Sequence, residues 1–441
     1  MRLQYVQLAI VVLTISCSKS SDSTPIPAPN NPIVTPPVVT VDYSTKYSNT
    51  TTIFLSKSLN TEGVHAESFK VIKINNKYHL ITSNAMLFGS TYDYFRSFEV
   101  DTTSGQLTEN TSSILGGYKE VGFPKSPFFY EDLNGDGIKD LFEVDHGKET
   151  PSLMINGQFP GYTNHLFVGT PDGKFNAATV SDLTDVKRFH HNAGMGDLDG
   201  DGDNDLVLQY FGNEEMIYFK NTNGLKRDRI ITPNNSTGAV LINDVDGDGV
   251  TDIISAPYID RASLPSTHVL KLNLSQSSYT TSKMSSLLPF GKDYGCYKLF
   301  ALKNPKAPTK KNIFYFVEGS IGDQKVFRSS ESDITKIEDV STLQSTYKSN
   351  GTRDYQILDL NFDGLDDIFF IVNPGESLNK RVWLNKGDNT FENPGWDVDV
   401  TLTDFFIPLT INEGSGRIKM LYYENRIVPK TRIIDIYTKK K

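Results

Sequence analysis

Aspartates are packed densely in the stretch from Ala193 to Tyr210. With the first aspartate as position 1, acids fall at positions 1, 3, 5 and 9, and a glycine at position 6 permits a sharp turn. These residues are Asp197, Asp199, Asp201, Gly202 and Asp205. Like charges this close repel one another unless a cation lies among them. The spacing predicts a loop that binds a hard cation, and calcium, which accepts about six to eight oxygen ligands, suits it best.

The same pattern occurs three more times, each time just before an apolar, β-prone segment. We predict side-chain ligands at positions 1, 3, 5 and 9 and a backbone carbonyl ligand at position 7. In chain order, the four candidate sets are Asp132, Asn134, Asp136, Ile138 and Asp140; Asp197, Asp199, Asp201, Asp203 and Asp205; Asp244, Asp246, Asp248, Val250 and Asp252; and Asp359, Asn361, Asp363, Leu365 and Asp367. About four calcium ions are expected, held more tightly by the second and third loops because these have four carboxylates rather than three.

Two other interpretations of these loops compete with a calcium-binding β-loop. An EF-hand uses the same positions but needs a glutamate at position 12 and helices on both sides. Only Glu143 meets that requirement, since the other loops have Leu208, Ser255 and Phe370 there and are followed by β-branched and aromatic residues. The remaining alternative is a set of Asx-rich turns without an ion, which leaves the charge repulsion uncompensated.

The loops belong to a repeat. Their first aspartates lie 65, 47 and 115 residues apart, and the last interval is about twice the others, which predicts a repeat without acids inside it. Strand–loop–strand patterns without acids occur there, at residues 297–317, and also flank the series, at residues 69–81 and 406–422. The chain therefore contains seven repeats of similar length.

The elements that must position the loops are β-hairpins. Each repeat has a second apolar pair, clearest at residues 165–175, 216–225 and 381–391, with alternating apolar residues around a Gly/Asn/Asp turn. Two hairpins give four strands, the content of one propeller blade. After its first hairpin the last repeat has one strand, at residues 431–437, so we predict that residues 51–56 pair there and close the ring.

These features resemble a known repeat family. The acidic loops, with Asp252–Pro257, resemble the FG-GAP repeats of integrin α-subunit propellers, and the hairpin at residues 166–175 is similar to the VCBS repeats of bacterial surface proteins. The resemblance covers residues 49–441. It implies an all-β, seven-bladed β-propeller with calcium in the loop between the first two strands of each competent blade. It also implies that these loops share one face and that partners bind the opposite face.

The N-terminus is predicted to be an export signal. Residues 1–16 have a basic start at Arg2 and a short apolar core from Leu8 to Ile15. Thr14–Cys17 resembles a bacterial lipobox, which implies cleavage before Cys17 and its acylation. The alternative is an ordinary secretory signal in which this cysteine has no role.

Three segments are expected: the signal at residues 1–16, the lipidated cysteine with a Ser/Pro-rich tether at 17–48, and the propeller at 49–441. Several acyl chains anchor a protein firmly, so we expect a lipoprotein on the bacterial outer membrane or cell surface. Cys296 then has no disulfide partner and is expected to be a buried, inert thiol in a strand.

The net charge and the lack of catalytic motifs favour a binding function over catalysis. The formal net charge of −9 argues against nucleic acid as a partner. The sequence contains no nucleophile elbow, phosphate loop or dinucleotide fingerprint. His190 and His191 are adjacent, but no further ligands for zinc lie nearby in the sequence, and a surface or loop-packing role is the simpler interpretation.

The expected function is a monomeric, calcium-binding adhesion module that presents loops to a protein or glycan. Candidate binding loops opposite the calcium face are residues 84–94, 146–163, 257–267 and 373–380, rich in Gly, Pro, Asn and aromatic residues. The alternative is a polysaccharide-processing enzyme, a hydrolase or lyase, on the same scaffold, since carboxylate pairs outside the loops remain candidates for glycosidase chemistry.

Overall fold

The structure is a computed structural model. It describes residues 47–55, 59–60, 68–83, 95–118, 124–145, 147, 151–155, 159–210, 215–231, 237–257, 268–273, 278–283, 294–304, 307, 309–319, 324–329, 337–339, 355–370, 381–387, 390–394, 405–412, 416–424 and 430–440. All of these belong to one compact unit, Asp42–Lys441. The predicted signal, Cys17 and most of the tether lie outside the described residues. None of the helices in the described part of the chain is long and apolar enough to span a membrane.

Two strands precede the first regular sheet: the nine-residue β1 (Tyr47–Leu55) and the two-residue β2 (Leu59–Asn60). Three antiparallel sheets of four consecutive strands follow. Sheet I contains β3 (Ser68–Ile74), β4 (Lys77–Ser83), β5 (Arg96–Val100) and β6 (Leu107–Glu109); sheet II contains β7 (Pro124–Glu131), β8 (Asp140–Asp145), β9 (His165–Gly169) and β10 (Phe175–Ala178); sheet III contains β11 (His190–Gly196), β12 (Asp205–Tyr210), β13 (Glu215–Asn221) and β14 (Leu225–Ile231). A helical turn α1 (Thr111–Ile114) follows sheet I, and a 3₁₀ turn (Pro151–Leu153) lies within sheet II's long connection.

Three more sheets repeat the plan. Sheet IV contains β15 (Thr237–Asn243), β16 (Asp252–Pro257), β17 (His268–Asn273) and β18 (Ser278–Lys283); sheet V contains β19 (Tyr294–Lys303), β20 (Lys311–Gly319), β21 (Gln324–Ser329) and β22 (Ile337–Asp339); sheet VI contains β23 (Tyr355–Leu358), β24 (Asp367–Phe370), β25 (Val382–Asn385) and β26 (Phe391–Glu392).

The terminal sheet joins the two ends of the described chain. Its strands β27 (Phe405–Asn412), β28 (Arg417–Glu424) and β29 (Lys430–Lys440) are consecutive, and β1 pairs antiparallel with β29. The register places Ile53 opposite Ile436 and Leu55 opposite Ile434. The short strand β2 also pairs with β29.

Buried apolar residues lie between successive sheets. Phe142 of sheet II packs with Leu206 of sheet III, and each further cluster in the described residues joins two sheets in the same way. One cluster joins sheet I to the terminal sheet through Leu80, Ile407 and Ile433. Sheets of four antiparallel strands packed face to face in chain order form a β-propeller.

The predicted all-β propeller is confirmed. Regular blades of four consecutive strands number six among the described residues, not seven, because the C-terminal repeat supplies only β27 to β29 and its sheet is completed by β1. The hairpins predicted without acids are found in sheets I and V and in the terminal sheet. In sheet I the turn residues Asn75 and Asn76 have positive φ angles of 47° and 64°, as a tight hairpin requires.

Glycines set the distance between β11 and β15. A Cβ atom on Gly194 would lie 2.8 Å from Ile242 Cγ1, and one on Gly196 would lie 2.7 Å from Ile242 Cγ2. The small residues that lead into the second acidic loop therefore serve packing, because they let the first strand of sheet IV approach the first strand of sheet III.

Candidate metal centres

Each acidic loop connects the first and second strands of its sheet. The loops of sheets II, III and IV lie between β7 and β8, β11 and β12, and β15 and β16, and the fourth lies between β23 and β24. This is the placement predicted from the sequence. The strand after each loop begins at the aspartate in position 9, which is paired with the last residue of the strand before the loop, so the hairpin fixes both ends of the loop.

The aspartate at position 1 folds the loop around its own carboxylate. In the second loop, Asp197 Oδ1 accepts a hydrogen bond from Gly200 N at 2.7 Å, and Oδ2 accepts one from Gly202 N at 3.0 Å. Asp132 and Asp244 accept the same two bonds in their loops. In the fourth loop, Asp359 accepts hydrogen bonds from Asp363 N at position 5 and Gly364 N at position 6. These hydrogen bonds fold the loop around the position-1 carboxylate and orient it.

Left-handed backbone at positions 4 and 6 lets the loop turn tightly around the position-1 carboxylate. Gly200 and Gly202 have φ angles of 78° and 96°. In the fourth loop, position 4 is Phe362, which has a φ of 63° although it is not glycine. Its side chain is 2% exposed and packs in the cluster between sheet VI and the terminal sheet, so apolar burial offsets the backbone strain.

The aspartate at position 9 locks the loop to the third strand. Asp205 is fully buried, its Oδ2 accepts Leu198 N at 3.0 Å, and its Oδ1 accepts Asn221 N at 2.8 Å. Asp140 and Asp367 make the same two bonds, to Gly169 N and Asn385 N on the third-strand side. Position 9 therefore joins both hairpins of a blade, a role that ligand spacing alone did not reveal.

Positions 3 and 5 each accept a hydrogen bond from the backbone N–H two residues ahead. In the second loop Asp199 Oδ1 accepts Asp201 N at 3.3 Å, and Asp201 Oδ1 accepts Asp203 N at 3.0 Å. The pattern is the same in the other three loops. The residues predicted to give a carbonyl from position 7, Ile138, Asp203, Val250 and Leu365, therefore have their N–H groups bound within the loop.

Carboxylates converge in the second and third loops. Single oxygen atoms of Asp197, Asp199 and Asp205 all lie within 4.8 Å of one another, and the corresponding atoms of Asp244, Asp246 and Asp252 do the same. In the first and fourth loops position 3 is Asn134 or Asn361, so the corresponding trio has two carboxylates and one amide. An all-oxygen donor set on a preshaped loop fits a hard divalent cation such as calcium.

Burial makes the position-9 carboxylates costly to ionise without a cation. Burial raises the pKa of Asp140 to about 6 and that of Asp367 to about 8, although backbone N–H donors act in the opposite direction. Burial also raises the pKa of Asp205. A cation that binds these groups in their ionised form would compete with protons at mildly acidic pH.

The structure excludes an EF-hand at the first loop. Glu143 at position 12 is fully buried within strand β8, which directly follows the loop. The residues that precede the loop form strand β7 rather than a helix. Glu143 therefore lies within a blade. An EF-hand needs a helix on each side of its loop, and this loop has a strand on each side.

Two residues near the second loop were missed by the sequence analysis. Tyr218 is fully buried, and its hydroxyl donates to Asp205 Oδ2 at 3.0 Å. The ammonium group of Lys220 forms ion pairs with Asp199 and, at 3.5 Å, with Asp201. Both residues belong to β13. A prediction of the register of β13 against β12 would have placed them beside the second loop.

The face opposite the acidic loops is described only in part. Most of residues 84–94, 257–267 and 373–380 lie outside the described residues. Within the connection at 146–163, Leu153, Met154 and Ile155 are exposed apolar residues. His190 lies near the same end of sheet III, but it is buried rather than at the surface, and neither ring nitrogen has a hydrogen-bond partner.

Cys296 is a buried thiol in β19, as predicted. It is fully buried, and burial raises its pKa above the usual range of a thiol. Its Sγ donates to Lys298 O at 3.6 Å. A thiol that resists ionisation is a poor nucleophile, so the residue serves the core between sheets IV and V.

The acidic loops match a known repeat in sequence. The family described as FG-GAP-like repeat matches residues 132–208 and 197–255, which include the first three acidic loops. No curated protein matches the chain.

Two solved structures are similar to this chain at low sequence identity. The crystal structure of a protein of unknown function from Dyadobacter fermentans DSM 18053 has a TM-score of 0.43 and 12% identity, covering 88% of this chain and 99% of that chain. A protein from Lactobacillus plantarum has a TM-score of 0.39 and 13% identity, covering 75% of this chain and 98% of its own. Similarity this low adds nothing to the functional argument.

Proposed function

Because this chain carries FG-GAP-like repeats within a β-propeller, we propose that it is a calcium-binding surface module. The observation that carries the proposal is the convergence of carboxylate oxygens in the second and third loops, on backbone that is already folded around them. Calcium would neutralise the repulsion among these groups and connect the first hairpin of a blade to the second. Its contribution is therefore to stability, and it supplies no chemical step.

Four sets of residues would hold the ions. Positions 1, 3, 5 and 9 supply side-chain oxygens and position 7 a backbone carbonyl, in the sets that begin with Asp132, Asp197, Asp244 and Asp359. The fully buried position-9 carboxylates support this assignment, because an ionised group at such a site needs a compensating charge. About four ions per chain follow from the four loops.

The ring is proposed to consist of seven blades, with the terminal sheet as the seventh. Two observations support this: β1 pairs with β29, and an apolar cluster connects the terminal sheet to sheet I. A strand from the start of the chain that completes the last sheet would remove an open edge and hold the ring closed.

The module is proposed to be anchored to a bacterial envelope membrane through Cys17 and to bind a protein or glycan on the face opposite the acidic loops. The anchor rests on the sequence of residues 1–17, and the binding face on the exposed Leu153, Met154 and Ile155 in a long connection. Exposed consecutive apolar residues on a rigid scaffold are suited to contact with a partner.

Thermal unfolding with and without calcium tests the metal proposal. The protein without its first 46 residues should unfold at a higher temperature, and resist protease longer, in 1 mM calcium than in chelator. Asp197→Asn with Asp199→Asn should remove part of that gain, whereas Asp228→Asn on the exposed side of β14 should remove none. An unfolding temperature that is the same in calcium and in chelator would show that the loops are not structural metal sites.

A glycan array and a pulldown from solubilised envelope membranes test the binding proposal. Specific retention that is lost in Leu153→Asp with Ile155→Asp, while calcium binding is kept, is the expected result. Retention that is unaffected by these substitutions would place the binding surface elsewhere. Turnover of a polysaccharide by the purified protein would instead favour the enzymatic alternative.

A further inference from the structure

In the two sheets whose acidic loops carry the most charge, the third strand has a lysine at the same register position. In sheet III, Phe219 of β13 is the partner of Leu206, so Lys220 follows beside Asp205. In sheet IV, Leu270 of β17 is the partner of Ile253, and Lys271 follows. These are the sheets whose loops have four carboxylates at positions 1, 3, 5 and 9.

The three-carboxylate loops have apolar residues at the same register position. In sheet II, Phe167 is the partner of Leu141 and is followed by Val168. In sheet VI, Trp383 is the partner of Ile368 and is followed by Leu384. Counting positions 1, 3, 5 and 9 with this register position, all four loops carry the same net charge of −3. The extra carboxylate and the lysine therefore occur together.

Side-chain geometry shows what the lysine does in sheet III. The ammonium group of Lys220 contacts Asp199, whose side chain is only 5% exposed, and lies 3.5 Å from Asp201. Both acids are predicted metal ligands, at positions 3 and 5. The Lys220 side chain is itself 37% exposed, so it can leave the loop for solvent without disturbing the core.

We propose that Lys220 is a built-in counter-cation of the second loop, which neutralises the carboxylates when no metal is bound and is displaced when calcium binds. Lys271 holds the same register position in sheet IV. The inference rests on the proposed calcium function, and it reverses the expectation that four carboxylates make these loops the tighter sites. The lysine lowers calcium affinity, because its ammonium group must either leave the carboxylates or be repelled by the bound ion. Without calcium, the same group offsets the repulsion among the carboxylates and keeps the loop folded.

Calcium titration of the wild type and Lys220→Met, by competition with a chromophoric chelator, tests the proposal. Removal of the lysine should tighten calcium binding at one site by about tenfold and lower the unfolding temperature of the metal-free protein. Lys220→Arg, which keeps the charge, should behave like the wild type. Lys77→Met, an exposed lysine in sheet I, which has no acidic loop, should also behave like the wild type. In protein that already carries Asp197→Asn and Asp199→Asn, the effect of Lys220→Met on calcium binding should disappear.

The outcomes separate this inference from the calcium proposal. Calcium binding that is identical in the wild type and Lys220→Met overturns the inference and leaves the calcium function standing. A tightening that Lys220→Arg reproduces, or that persists without Asp197 and Asp199, also overturns it. If the wild type binds no calcium and Lys220→Met does, the inference stands and the proposed function fails. If neither protein binds calcium, both are wrong.

Discussion

The buried aspartate at position 9 connects three of the acidic loops to the third strand of their sheets. Asp205 receives hydrogen bonds from Leu198 N, Asn221 N and the hydroxyl of Tyr218. These donors come from the loop and from β13, so a single carboxylate connects both hairpins of the blade. Two backbone N–H groups donate to different oxygens of Asp205. Asparagine has only one acceptor oxygen, so it cannot replace this aspartate fully.

Tyr218→Phe measures the strength of this connection. Loss of a hydrogen bond to a buried carboxylate should cost about 1.5–3 kcal/mol of the free energy of unfolding. Urea unfolding at a fixed calcium concentration would measure the change. Tyr210→Phe, at the other end of β12, should stay within about 0.5 kcal/mol of the wild type. Equal stability of Tyr218→Phe and the wild type would show that the hydroxyl bond contributes nothing.

His190 makes the fold sensitive to acid. Burial, aided by the positive charge of Arg188, lowers the pKa of His190 to about 3. In the unfolded chain the imidazole takes up a proton near pH 6.5, so its contribution to stability is present above that pH and is lost as the pH falls toward 3. His190→Leu should remove this dependence. Between pH 7 and pH 5 the wild type should lose about 2 kcal/mol more stability than the variant in urea unfolding. Parallel stability curves for the two proteins would contradict the assignment.

The close contact of β11 and β15 is the feature to test at the scale of elements. Gly194→Ala places a methyl group 2.8 Å from Ile242 Cγ1 and 3.1 Å from Val240 Cγ1. Such overpacking should cost about 1–3 kcal/mol, because the side chains of Ile242 and Val240 must move to make room for the methyl group. Lys226→Ala on the exposed side of β14 is the control and should leave the unfolding midpoint in urea unchanged. If Gly194→Ala unfolds at the wild-type midpoint, the packing of β11 against β15 has room for a methyl group, which contradicts this prediction.

The strands were predictable because hairpin chemistry is local. Alternating apolar residues around Asn75 and Asn76, or around the acidic loops, determine β-strands over a few residues. The loops were predictable for the same reason, since the hydrogen bonds within each loop join residues at most seven positions apart. Lys220 and Tyr218 were not, because their contacts with the second loop depend on the register of the third strand, which the loop spacing does not determine.

The terminal sheet combines strands from the two ends of the described chain. Strand β1 covers the edge of β29 that would otherwise be open, and its register runs from Tyr47 opposite Lys440 to Leu55 opposite Ile434. An uncovered edge strand recruits other chains. The proposed closure of the ring depends on this pairing.

Two truncations test this closure. A chain that begins at Tyr47 keeps β1 and should match the longer protein in stability. A chain that begins at Leu59 lacks β1 and should lose roughly 2–5 kcal/mol in urea unfolding, since about seven cross-strand pairs are removed. Size-exclusion chromatography should also show self-association of the shorter chain through β29. If the two truncated proteins have the same midpoint and both remain monomeric, β1 does not close the propeller.

A direct count of bound calcium tests the central claim most directly. Equilibrium dialysis of residues 47–441 against calcium near pH 7.5, with the metal in protein and buffer measured by atomic emission, gives the number of ions per chain. Calcium-braced blades predict saturable binding of about four ions, reduced by one for each loop in which positions 1 and 3 are changed to alanine. Less than one ion per chain at millimolar calcium would contradict the account, and the four loops would then be hydrogen-bonded turns alone.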